Sequence, residues 1–67
     1  MRVRVNGVER DVESGTTLDR LVRSLGAEPE RGVAVALGGE VVPRSAWERT
    51  ELGEGQEVEV LRAVQGG

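Results

Sequence analysis

Few residues in this 67-residue chain can do chemistry. It has no Cys, no His, no Lys and no Tyr. A thiolate, an imidazole base, a Schiff-base lysine or a histidine-based metal site therefore cannot be assembled from its side chains. What stands out is the end of the sequence, Gly66-Gly67. The expectation is that the α-carboxylate of Gly67 is the reacting group, carried by a residue with no side chain to obstruct it. A frayed glycine-rich end would show the same two residues. With Gly near ~7% of residues, a chance Gly-Gly end occurs roughly once in 200 chains. The rest of the sequence has to decide between these readings.

Size and composition narrow the choices. A chain this short is one domain with a thin stability margin. It has no disulfide to staple it and no side-chain set for a structural zinc, so its core must hold alone. Apolar residues make up 37% of the chain and include twelve Val, a composition that favours strands. Nine Arg stand against twelve Asp and Glu, for a net charge of −3, and Trp47 is the single aromatic. Nucleic-acid binding needs clustered positive charge and, for single strands, stacking aromatics. Neither is present, so no nucleic-acid partner is expected. The start, Met1-Arg2-Val3-Arg4-Val5, alternates instead of running apolar, and no stretch is long enough to span a bilayer. The expectation is a soluble, cytoplasmic protein with no bound cofactor and no membrane partner.

Residues 2–12 read as a hairpin about an Asn6-Gly7 type I′ turn. The two-residue loop sets Val5 opposite Val8, Arg4 opposite Glu9, Val3 opposite Arg10 and Arg2 opposite Asp11. Val3, Val5, Val8 and Val12 then share the core face, and Arg4–Glu9 and Arg2–Asp11 form ion pairs outside. Arg10 falls on the inner face, which suits an edge strand open to water. Thr16, with Asp19 three residues on, has the capping-box pattern, and Leu18, Leu21, Val22 and Leu25 form one helical stripe. These predict a helix over 17–25, stopped by Gly26 and Pro29. Val33 to Leu37 is apolar throughout, as an interior strand requires, with Ala34 and Ala36 facing either outward or the helix. Gly38-Gly39-Glu40 is a turn, and Val41-Val42 a short strand ended by Pro43. Ser45 with Glu48 suggests a single capped helical turn. Residues 57–62 are the last strand, with Val58 and Val60 inward.

One amphipathic helix covers one face of a mixed sheet. The first and last strands can pair in parallel, because the intervening elements supply the crossover. This is an α+β, ubiquitin-like β-grasp, with four to five strands packed on one helix. The domain is expected over 1–63, with 64–67 a flexible tail leaving a central strand.

At this level of detail the chain resembles the ThiS sulfur carriers of thiamine biosynthesis over nearly its whole length. The resemblance rests on the Asn6-Gly7 hairpin, Gly15-Thr16-Thr17-Leu18, the Val33 to Leu37 strand, Val42-Pro43-Arg44 followed by Trp47, and Gly66-Gly67. It departs from the family at Gly38-Gly39, where Asn or Gln is frequent; that affects the turn and not the tail. The resemblance implies a protein substrate, not an enzyme. A ThiF-like adenylyltransferase would activate Gly67 with ATP. A persulfide, supplied through a cysteine desulfurase, would displace AMP and leave a thiocarboxylate. A ThiG-like thiazole synthase would then take the sulfur. Elementary chemistry agrees. A terminal carboxyl of pKa ~3.3–3.7 is ionised at neutral pH, and two residues without Cβ can thread a narrow slot. Val64, Gln65, Gly66 and Gly67 would enter the partner's site. The resemblance further suggests docking through the sheet face away from the helix, with Leu61, Val41, Val42 and Arg44 as the candidate patch. Trp47 is read as core cover, Pro43 as the end of an edge strand, and Arg44 as a contact to backbone, tail or partner. Three rivals remain: the small subunit of molybdopterin synthase, a ubiquitin-like protein modifier, and a β-grasp interaction module with an incidental tail.

Overall fold

The computed structural model describes residues 1–27 and 32–62. Five strands and one helix follow in order: β1 (Arg2–Val5), β2 (Val8–Asp11), α1 (Leu18–Ser24), β3 (Val33–Leu37), β4 (Glu40–Val42), a 3-10 turn (Arg44–Arg49) and β5 (Glu57–Arg62). Their order across the sheet is β2-β1-β5-β3-β4, with β5 at the centre. It runs parallel to β1 and antiparallel to β3. This is the β-grasp expected from the order of elements. The proposed tail, 64–67, and Pro29 lie outside the described residues.

Local chemistry sets the first hairpin. Asn6 and Gly7 both adopt positive φ, 50° and 82°, as a type I′ turn demands. The register is the predicted one, from Arg2 opposite Asp11 to Val5 opposite Val8. Two expectations fail on it. Val8 shares the parity of the core face but is 58% exposed, because β2 is the edge strand and the short helix does not reach over it. The Arg4–Glu9 pair is not formed. Arg2 takes both carboxylates, Glu9 through Nη1 and Asp11 through Nε, each at 3.1 Å. Arg4 donates to the Gly7 carbonyl at 3.3 Å instead. The hydrogen bond and charge of Asp11, then the charge of Glu9, raise the Arg2 pKa above its ordinary value. Arg10 does lie on the open edge strand, as predicted.

The helix cap sits one residue later than the sequence pattern suggests. Thr17 is the N-cap, and its side chain accepts from the Arg20 N–H. Thr16 is buried and its hydroxyl donates to the Glu13 carbonyl at 2.6 Å. The shift has a tertiary cause: Thr16 and Leu18 are held by main-chain bonds to Leu52 and Thr50, flanking a bridge from Thr17 to Glu51. At the other end Gly26, φ 81°, closes the helix. Its N–H donates to Arg23 O, and the next one, from Ala27, donates to Val22 O, the paired bonds of a Schellman motif.

Leu18, Leu21 and Val22 from the helix meet Val3, Val5, Val35, Val58 and Val60 from the sheet, and Trp47 and Leu52 close the sides. Ala34 and Ala36 face away from the helix, opposite Leu61 and Glu59 of β5. The 3-10 turn lacks the cap predicted at Ser45. Its N-cap is Pro43, which has no side-chain donor or acceptor. Trp47 organises this turn instead: it is 1% exposed, and its indole N–H donates to the Val42 carbonyl at 2.9 Å. Among the described residues no helix is long and apolar enough to cross a membrane.

Candidate functional site

The four tail residues, Val64, Gln65, Gly66 and Gly67, lie outside the described residues. What the structure shows is the base from which they continue. Because β5 is central, its end is gripped from both sides. On the β3 side, pairing runs to the last residue, Arg62 opposite Val33. On the β1 side, the main chain stops at the hairpin turn, where Asn6 N–H donates to Val58 O at 2.9 Å. The Asn6 carboxamide then continues the ladder. Its Nδ2 donates to Val60 O at 3.1 Å, and its Oδ1 accepts from Val60 N–H at 2.8 Å.

Arg62 ends the strand on its inner face. Its Nη2 donates to the Leu25 carbonyl at 3.1 Å. Leu25 is the C-cap of α1, so the guanidinium answers both an unpaired carbonyl and the negative end of the helix. Sequence alone marks neither residue for this role: Asn6 reads there as a turn residue, and Arg62 as the last strand position.

The expected docking patch is divided by the sheet. Leu61 and Val41 are 69% and 76% exposed on the open face. Between them lie Ala34 and Ala36, with Glu59 at the border, in a shallow apolar depression. Val42 points the other way: it pairs with Val35 and packs, half-buried, against the core. The alternating pleat makes that unavoidable for two adjacent strand residues. Arg44 opens the 3-10 turn and lines a separate polar recess with Asp19, Ser45 and Glu48. The open face thus has two halves. The β2–β1 half carries Arg2, Arg4, Glu9 and Asp11, and the β3–β4 half is apolar with Leu61 at its margin.

Among the described residues no group of three or more metal-ligating side chains comes together. The most distinctive stretch of the sequence, Val42-Pro43-Arg44 with Trp47, has a structural explanation. The Trp47 indole reaches back across Pro43 to the Val42 carbonyl, plugging the core beside α1.

Comparisons with known proteins agree with this architecture. The ThiS family model matches residues 3–67. Two thiazole synthases are similar to the whole chain: that of Magnetococcus marinus, 37% identical over 67 residues, and that of Paramagnetospirillum magneticum, 31% identical over 67 residues. In both, the matched segment is 20% of the protein, so the chain spans one fifth of the length of these curated relatives. The crystal structure of the thiamine biosynthesis protein ThiS from Geobacter metallireducens superposes with a TM-score of 0.82 at 32% identity, covering 100% of both chains. An NMR structure of a thiamine biosynthesis protein from the same organism gives 0.81 at 32% identity, covering 100% of this chain and 88% of that one. With its β-grasp sheet, its central last strand and a family match that runs through Gly67, the chain belongs to the ThiS family.

Proposed function

We propose that this chain carries sulfur as a thiocarboxylate on Gly67 and delivers it for thiazole formation in thiamine biosynthesis. The observation that carries the reading is the family match, which extends through Gly66-Gly67. Membership of the ThiS family supports a carrier role and not a catalytic one. The side chains agree, since the sequence offers no thiol or imidazole to act as nucleophile or base.

The chemistry then belongs to partners. The Gly67 carboxylate attacks the α-phosphorus of ATP in a ThiF-like adenylyltransferase, and pyrophosphate leaves. The acyl-adenylate is attacked at its carbonyl carbon by the terminal sulfur of a persulfide, formed by a cysteine desulfurase, and AMP leaves. A thiol then cleaves the S–S bond and takes the donor side into a disulfide, which frees the thiocarboxylate. A ThiG-like thiazole synthase accepts its sulfur. The two relatives named thiazole synthase hold a segment like this chain inside a much longer protein, which supports work beside such an enzyme. ATP is used by the partner, and the reading places the carrier in the cytoplasm, where ATP and desulfurase are available.

For the first partner, the apolar half of the open face is the docking surface we favour: Leu61 and Val41, with Ala34 and Ala36 between them. The test is incubation with the adenylyltransferase, ATP and a persulfide source. One sulfur-for-oxygen exchange confined to the last residue is expected. Sulfur gained at an internal residue, or none gained, would overturn the reading.

A further inference from the structure

The end of β5 poses a hydrogen-bonding problem that the main chain does not solve. Beside the parallel pair, β1 supplies the Arg4 N–H to Gln56 O and the turn supplies the Asn6 N–H to Val58 O, both at 2.9 Å. The chain then reverses through Asn6-Gly7 into β2 and leaves. Residues 58, 60 and 62 direct their amides to this side, because the Glu57 carbonyl, of opposite parity, bonds to Gly38 on the other. Val60 therefore sits where a strand residue would be needed and only a turn is available. The Asn6 carboxamide stands in for it, giving one donor and taking one, at 3.1 and 2.8 Å.

The turn does not by itself require this residue. Gly and Asp also serve at positive φ in a type I′ turn. Among the residues that suit the turn, Asn alone presents a donor and an acceptor side by side in one rigid plane. We propose that Asn6 is a positioning residue: its amide holds Val60 as the last tether on the β1 side. The proposal rests on the carrier reading. With the tether in place, β5 is held as far as Arg62, from which the sequence continues to the reacting end. With it removed, the end of β5 keeps only its β3 partner and the Arg62 contact to Leu25. A longer stretch must then be ordered when the glycines enter the partner. That cost falls on binding and leaves the chemical step alone.

The test compares Asn6→Gly, which keeps the turn and deletes the amide, with Asn6→Asp, which keeps an acceptor for Val60 N–H but sets a second oxygen against Val60 O. Thr17→Ala is the control: it removes the helix cap at the end of α1 opposite the Leu25 contact to Arg62, so it loosens the fold without touching the Asn6–Val60 bonds. Adenylation is followed by pyrophosphate release with the ThiF-like enzyme and ATP over a range of carrier concentrations. Amide exchange at Val60 is measured in parallel. For Asn6→Gly, KM should rise about tenfold, the ordering of roughly one further residue, with kcat within about twofold. Exchange at Val60 should quicken. Asn6→Asp should also raise KM while keeping Val60 partly protected. Thr17→Ala should leave KM at the wild-type value. A normal KM for Asn6→Gly, with active wild type, overturns this proposal alone. A KM raised equally by Thr17→Ala also overturns it, since general loosening would then suffice. A wild-type chain that is never adenylated overturns the carrier reading, and this proposal with it.

Discussion

The two faces of the sheet come from the same alternating strands, yet they are built to different ends. On the helix side, Val3, Val5, Val35, Val58 and Val60 are sealed beneath Leu18, Leu21, Val22 and Trp47. On the open side, half the surface is charged and half is apolar, and Val41 and Leu61 are left in water. In a domain with so little core, each sealed residue is a large part of total stability. The open apolar residues contribute little to it, so their presence needs another reason, and a partner surface supplies one. On the proposed reading, stability and partner docking fall on opposite sides of one strand, β5. Val58 and Val60 face the core, and Leu61 faces out beside the way to the tail.

Mutations should separate the faces. The largest effect is expected for Trp47→Ala, which empties the biggest buried side chain and orphans the bond to Val42 O. It should cost about 3–5 kcal/mol in denaturant unfolding. Leu21→Ala, under the helix, should cost about 2–5 kcal/mol. A loss below about 1 kcal/mol at either site would mean that the core repacks and the contrast is overstated. Next, Thr17→Ala should lower the melting temperature through loss of the cap, worth about 1 kcal/mol. A Thr17→Ala variant that melts at the wild-type temperature would contradict this placement of the cap. On the open face, Leu61→Ser should shift stability by less than about 0.5 kcal/mol. It should nevertheless slow adenylation at limiting carrier. Normal adenylation kinetics for this variant would break the assignment of the patch. The smallest effect on folding is expected from one residue added after Gly67: within about 0.5 kcal/mol by thermal melt, while thiazole synthesis is lost.

Much of this was legible in the chain, and the failures share a cause. The Asn6-Gly7 dipeptide fixes the register of a two-residue hairpin, so every pair from Arg2–Asp11 to Val5–Val8 follows from local rules. The stripe Leu18, Leu21, Val22 gives the helix by periodicity alone. Parity places Val8 on the core face but says nothing of how far a seven-residue helix reaches, and Val8 is exposed. Register likewise sets Arg4 opposite Glu9 without saying which guanidinium wins the carboxylate. The cap moved from Thr16 to Thr17 because the loop of Thr50 to Leu52 pairs with this segment, a contact with no local signal. The Asn6 tether joins positions 54 residues apart and so has no trace in any short window. The site differs from the fold in this respect. The proposal of Gly67 rests on sequence and family alone, and the structure contributes the strand that leads toward it.

The central claim is that Gly67 bears the sulfur. Its most direct test is top-down mass spectrometry of the protein purified from its own host during thiamine synthesis. A fraction of molecules should carry one sulfur in place of one oxygen, localised to the Gly67 carboxyl. Sulfur found on any other residue, or a Gly67 carboxyl that never exchanges oxygen while thiazole is being made, would contradict the account.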